Sequence, residues 1–258
     1  MVAGIIRILF LALLCCCAGV AQEISRAARE MFNVAVREFT AEQYGPAAES
    51  FQKVIEMAPN LFQARVYLAT SYVQLFVPGS NSAENRDVAR RAITALDEVL
   101  RRDPKNLPAT DSLASLYLQM RDLPRANEWV RRVLILSPDN KGALSTLGLL
   151  ALLEFTDKDR EARLTLEMKP GDPGPLPDDE LRAELKAQFW DKLQAGIGFA
   201  KQAISVDPNY ADAMAAIAQL TRVRADLADS EEQYHSMIAE ADQWSQRAAS
   251  ATGAAQKP

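Results

Sequence analysis

LPATDSLASLYLQMRDLPRANEWVRRVLILSPDN, residues 107–140, is the stretch from which the rest of the chain is read. It contains two runs with apolar residues three and four apart, the spacing that lines one face of an α-helix. Leu113, Ala114 and Tyr117 mark the first run, and Ala126, Val130 and Val133 mark the second. Pro138 then ends it, because proline has no amide hydrogen to donate and its ring collides with the preceding turn. The same ending recurs in FQKVIEMAPN (51–60), LDEVLRRDPKN (96–106) and AKQAISVDPNY (200–210), with prolines at 59, 104 and 208. Pro104 and Pro138 lie 34 residues apart. Asn60, Asn106, Asn140 and Asn209 follow these prolines, and each is expected to cap the next helix with its side-chain oxygen. A fixed period of this length points to stacked repeats, each too small to bury its own apolar faces.

This period and internal pattern resemble the tetratricopeptide repeat (TPR) family. Residues 28–61 supply Val34, Ala35, Tyr44, Ala47, Phe51, Val54 and Pro59 at the corresponding places. Residues 62–106 supply Leu68, Ala69, Tyr72, Ala92, Leu96, Val99 and Pro104. The fourth unit, about 141–210, has Leu147, Gly148, Gly196, Ala200, Ala203 and Pro208. The fifth, about 211–250, has Ile217, Ala218, Ala241, Trp244 and Ala248. The resemblance implies an all-α fold, a right-handed superhelical solenoid of about five helix-turn-helix hairpins over residues 22–250. Small side chains such as Ala69, Ala114 and Gly148 let paired helices approach closely, and the larger ones fill the space between hairpins. Nearly all the repeated residues are thus packing positions. Residues 251–258, ATGAAQKP, are expected to trail as a disordered tail.

Departures from the period carry further information. Leu113 to Ala126 is 13 positions, whereas Leu68 to Ala92 and Ile217 to Ala241 are 24 each. Those two units are expected to have longer paired helices joined by exposed turns, around 76–87 and 225–235. Leu147 to Gly196 is 49 positions, which places a long insertion at about 155–190. Its prolines, Pro170, Pro173, Pro175 and Pro177, forbid helix across 169–177. Asp178 and Asp179 then open another helix. MKPGDPGP (168–175) and the later ADLAD (225–229) resemble stretches of exported bacterial TPR proteins.

Residues 1–21 read as a secretory signal peptide: Arg7, an apolar run from Ile8 to Cys17, then Gly19 and Ala21 before a cut at Gln22. The uncharged stretch is shorter than the roughly 20 residues needed to span a bilayer. Cys15, Cys16 and Cys17 are the only cysteines, so a chain cleaved at Ala21 has no disulfide, thiolate nucleophile or Cys-bound metal. The expected location is the periplasm or cell envelope. Membrane contact arises only if the segment stays uncleaved or is lipidated, and Leu14-Cys15-Cys16-Cys17 is a poor lipoprotein signal.

The 29 basic and 34 acidic residues give a net charge of −5 spread along the chain, which argues against nucleic acid as a partner. There is no phosphate loop, nucleophile elbow or zinc-binding helix motif. No catalytic residue, metal or cofactor is therefore expected. His235 reads as a solvated surface residue, and Trp129, Trp190 and Trp244 as packing residues. In the TPR family the first helix of each hairpin lines a concave groove that binds peptides. Carried onto this chain, that implies a partner-binding groove containing Phe32, Val36, Phe39, Val66, Thr70, Val73, Ser115, Leu118, Leu149 and Leu152. Arg29, Gln63, Asp111, Gln119 and Ser145 fall on the same face. The family's Lys-Asn-Arg clamp for a peptide carboxylate is missing. The groove reads as mostly apolar and uncharged, with the insertion expected to lie over Leu149, Leu152 and Leu153. A non-catalytic module binding a peptide or helix of a partner protein is the leading reading. A periplasmic small-molecule or glycan-binding protein using the groove and the tryptophans is the alternative.

Overall fold

The computed structural model describes residues 24–169 and 171–255, with side chains through residue 252. The expected signal segment with its cysteines, Gln22, Glu23, Pro170 and the last three residues lie outside the described residues. Ten helices and no strand occur among the described residues. They are α1 (Arg26–Thr40), α2 (Tyr44–Met57), α3 (Phe62–Leu75), α4 (Ala83–Arg102), α5 (Leu107–Gln119), α6 (Leu123–Leu136), α7 (Lys141–Thr165), α8 (Asp179–Val206), α9 (Ala211–Ala225) and α10 (Glu231–Ala255). The last helix thus continues past residue 250, into the stretch expected to trail.

Two kinds of turn recur, and each has a local cause. At the four prolines the amide two residues after Pro donates to the carbonyl of the residue before it. These bonds are Leu61 to Ala58, Asn106 to Asp103, Asn140 to Ser137 and Tyr210 to Asp207, all 3.0–3.1 Å. The next helix begins three residues after the proline in every case. The capping position is therefore the second residue after Pro. Asn106 and Asn140 occupy it, and their side chains accept from the amides of Ala109 and Ala143. Asn60 and Asn209 fall one residue early, and Tyr210, which caps nothing through its side chain, stands at the start of α9. Only two of the four expected asparagine caps are made. The second turn, between helices of one hairpin, closes with a left-handed residue, Glu42 or Arg121. There the amides of Gln43 and Asp122 reach back to the carbonyls of Glu38 and Tyr117, the Schellman closure.

The chain divides into two compact units, one ending at Ser71 and one beginning at Tyr72. In the first, α1 packs on α2. Ala28, Ala35, Ala47, Phe51 and Val54 are fully buried there. Phe51 stacks on Tyr67 with ring centres 5.1 Å apart, and Phe32 and Phe39 meet Tyr67 edge-on at 5.9 and 5.2 Å. Such pairs add about 0.5–1.5 kcal/mol beyond the area they bury.

In the second unit α5 packs on α6, α7 on α8, and α9 on both α8 and α10, while α7 also touches α9. The tightest approach is at Gly148 and Gly196. A Cβ on Gly148 would stand 3.1 Å from the Gly196 carbonyl oxygen, and one on Gly196 3.1 Å from Ala151 Cβ. Small residues are therefore required at this crossing, where a side chain would meet the facing helix. Around it lie Phe155, Leu176, Leu193, Ile217, Leu220 and Leu227, all fully buried.

The long insertion is mostly helix: α7 runs on to Thr165 and α8 starts at Asp179, capped by Asp178. Only the connection between them is irregular. Its Leu176 is fully buried and donates its amide to the carbonyl of Asp226 at 2.9 Å. Gly174 lies so close to Asp226 that a Cβ would come within 2.5 Å of its Oδ1. Arg163 ties the seat together, donating to Asp159 at 2.8 Å, to Asp226 at 2.9 Å and to the carbonyl of Asp172 at 2.9 Å. The proline-rich strap is thus fastened to the α9–α10 turn, with Leu227 and Ala228 buried in that turn. This corrects the expectation of an exposed turn there: two buried apolar side chains and a backbone hydrogen bond hold it in. In the connection before α4, buried Asn85 plays a similar part, accepting from the Val77 amide and donating to the Val77 and Ser80 carbonyls at 2.8–2.9 Å.

Candidate functional site

The second unit carries a groove of about 510 Å³ built by α5, α7 and α9, the first helices of three successive hairpins. From α5 come Asp111, Ala114, Ser115 and Leu118. From α7 come Gly142, Ala143, Ser145, Thr146, Leu149 and Leu152. Asp212, Ala215, Ala216 and Gln219 of α9 complete it, with Tyr210 just before that helix and Val130 behind it. These residues recur along the first three turns of each helix because side chains three and four apart share one helical face.

Ser115, Leu118, Leu149 and Leu152 of the expected groove are brought together here. Leu149 is open to solvent, whereas Leu152 is buried in the groove floor. Leu153 is half-buried and does not line the groove. Phe32 and Phe39 belong to the aromatic cluster of the first unit, packed against Phe51, Tyr44 and Tyr67. Val36, Val66 and Val73 are half-buried, and Thr70 spends its hydroxyl on the Val66 carbonyl at 2.9 Å. The described residues of 169–177 do not line the groove, so they do not cover Leu149 or Leu152. The strap's one large apolar side chain, Leu176, is seated elsewhere, at the α9–α10 turn.

The α9 contribution was not identified from the sequence. The signal for it was nevertheless present: the spacing that places Asp111 and Ser115 on α5, and Ser145 and Leu149 on α7, falls on Ala215 and Gln219 when carried to α9, and Asp212 takes the place of Gly142. The groove is also less neutral than expected. Asp111 and Asp212 face it, and among its lining residues there is no lysine or arginine. Burial alone raises the Asp111 carboxyl above its ordinary range. Burial and then the Asp212 charge push the Tyr210 phenol up. Lys141, at the rim, donates to Asp207 and lies 4.9 Å from the centre of the Tyr210 ring. Ser115 accepts from Gln119 at 3.0 Å and Thr146 donates to the Gly142 carbonyl at 2.8 Å. Asp111, Ser145, Asp212 and Gln219 have side chains uncommitted to any hydrogen bond or ion pair among the described residues, and face the groove with polar atoms to offer.

None of the three tryptophans lines this groove. Each instead lies under a cation: Arg132 over Trp129 at 4.3 Å, Lys186 and Arg224 over Trp190 at 4.6 and 4.7 Å, and Arg247 over Trp244 at 4.1 Å. A sugar-binding platform that combines tryptophans with the groove is therefore not assembled. His235 is exposed and meets only the Tyr234 ring edge-on. Among the described residues no group of three or more His, Cys, Asp or Glu is placed to hold a metal ion, and no helix is long and apolar enough to cross a membrane.

Solved structures share this fold. MamA from Desulfovibrio magneticus RS-1 (residue 41 to the end) is similar with a TM-score of 0.56 at 13% identity, over 86% of this chain and 97% of that one. Another MamA crystal structure gives a TM-score of 0.54 at 14% identity, over 87% and 91%. YrrB, described as a TPR protein with an unusual peptide-binding site, gives 0.52 at 14% identity, over 86% and 90%. The chain has the tetratricopeptide-repeat fold. At this identity the likeness extends to the fold alone. No family model matches the sequence. No curated protein matches it significantly either.

Proposed function

We propose that this TPR protein is an exported, non-catalytic interaction module that holds a segment of a partner polypeptide in the α5–α7–α9 groove. One observation carries the reading: three successive hairpins leave about 510 Å³ open along their first helices, floored by Leu118, Leu149 and Leu152 and edged by uncommitted polar groups. That volume is in the range of ligand-binding clefts. A narrow apolar floor with polar edges suits an extended or helical peptide, whose side chains take the floor and whose backbone takes the edge. The likeness to YrrB, a TPR protein with a peptide-binding site, supports the same reading. Export rests on the signal-like residues 1–21 and places the module in the periplasm or cell envelope.

Site-specific photo-crosslinking tests the proposal. A benzophenone side chain at Leu149 or Ser115, in the full-length protein within its native cells, is expected to give a discrete polypeptide adduct. The same group at Ile135, 77% exposed and outside the groove, is expected to give none. Equal labelling from all three positions, or none from either groove position, would count against the groove. Edman sequencing of the same material is expected to begin at Gln22.

A further inference from the structure

We infer that the segment held in the groove presents a lysine or arginine side chain to Asp111 and Asp212, flanked by small or apolar residues. This deepens the peptide-binding reading above and rests on it. The two carboxylates come from the first and the last of the three helices that build the groove, so a bound segment passes between them. Neither makes an ion pair among the described residues, unlike Asp157 with Arg121, Asp207 with Lys141, Asp229 with Lys186 and Glu154 with Lys192. Lys141, next to the lining residue Gly142, is already engaged by Asp207 and by the Tyr210 ring, and the described lining holds no lysine or arginine to answer its acids.

A purely local account covers part of this. Asp212 stands in the first turn of α9, where the helix dipole favours a negative charge. Asp111 is the fifth residue of α5, beyond that first turn, and its carboxyl is raised by burial with no opposing charge to lower it. An incoming cation would supply that charge and favour the ionised carboxylate. An acidic or C-terminal segment would meet two like charges and no donor cation. Between the carboxylates the lining is Gly142, Ala143, Ala215 and Ala216, small residues that leave room for the long aliphatic stem of a basic side chain.

The test is selection of phage-displayed random dodecapeptides on the purified full chain, with counter-selection on Leu149→Glu to retain groove binders. Recovered peptides are expected to share a Lys or Arg. In synthetic versions, replacing that residue by Met should weaken binding to the unaltered protein about three- to fivefold, the range of a partly exposed ion pair. Asp111→Asn and Asp212→Asn, each with an unchanged thermal midpoint, should weaken the basic peptide by a similar factor and leave the Met peptide unaffected. Added salt should act in the same direction. Peptides that need Leu149 but carry no basic residue, or that lose nothing on Lys→Met, would overturn this inference and leave the peptide-binding reading standing. If no recovered peptide depends on Leu149, both fall together.

Discussion

Replacing Asp226 by Asn should stabilise the protein at pH 8 and do progressively less as the solution is acidified. Asp226 and Asp159 share one guanidinium, Arg163, and the three side chains are only 13%, 16% and 8% exposed. The trio holds one negative charge too many, in a place where water cannot compensate for it. Burial accordingly pushes the Asp226 carboxyl from 3.8 up to about 6, a rise that the attraction of Arg163 only partly offsets. The sign follows from the direction of that shift. A carboxyl that holds its proton more tightly in the folded chain opposes folding once it is ionised. The penalty is full above pH 6, shrinks between 6 and 3.8, and is gone below 3.8. At about 1.4 kcal/mol per pH unit, the whole window is worth up to about 3 kcal/mol, of which roughly half is recovered between pH 8 and pH 5. Asparagine keeps the shape and the carbonyl that accepts from Arg163 but does not titrate. Urea unfolding of both proteins, followed by circular dichroism at pH 8, 6.5 and 5, isolates the Asp226–Arg163–Asp159 trio because titrations elsewhere in the chain cancel in the difference. The advantage of Asp226→Asn should fall by about 1.5 kcal/mol from pH 8 to pH 5. A difference that stays constant to within about 0.5 kcal/mol, or that grows on acidification, would refute the reasoning.

Other perturbations test the packing and the turns. Gly148→Val places branched carbons against the Gly196 backbone, and a loss of about 2 kcal/mol is expected in thermal unfolding, whereas tolerance would show that the helices can separate freely. Asn85→Ala removes three hydrogen bonds to the connection before α4. A loss of about 2 kcal/mol and faster proteolysis between residues 76 and 82 should follow. Asn106→Ala, at a true cap, should cost about 1 kcal/mol, and Asn60→Ala, one residue early, only a few tenths; equal losses from the two would contradict a cap at the second residue after proline.

The repeat was legible because helix packing is a local constraint repeated in sequence. A proline that forbids continuation, a small residue where two helices cross and an apolar residue every three or four positions can all be read without knowing where the chain goes. Gly148, Ala126 and Pro138 illustrate this, and the same spacing put Ser115, Leu118, Leu149 and Leu152 on one surface. The register of the caps was harder. It depends on the hydrogen bond that crosses each proline, which fixes the cap at the second residue beyond, and Asn60 and Asn209 miss that position by one. Asp111 was already on the expected face; the charge of the groove was underestimated because Asp212 belongs to the fifth hairpin, whose first helix joins the same cleft through the α7–α9 packing.

The strap was the least legible element, because its seat is made by partners whose pairing no local pattern announces. A run of prolines and glycines excludes helix, yet it does not say which surface the excluded segment will choose. Covering exposed Leu149 looked favourable on hydrophobic grounds alone. Burying Leu176 gains a comparable apolar contact and also satisfies its backbone amide on Asp226, while Arg163 binds the Asp172 carbonyl. The seat that satisfies polar groups as well as apolar ones prevails, since an unpaired buried amide costs as much as a small apolar side chain gains. That choice also has a consequence for recognition. The strap ties the far end of α7 to the end of α9, and the Gly148–Gly196 contact fixes α7 against α8 on the other side. Two of the three groove helices are thus held before any ligand arrives, which lowers the ordering cost of binding while leaving the cleft open.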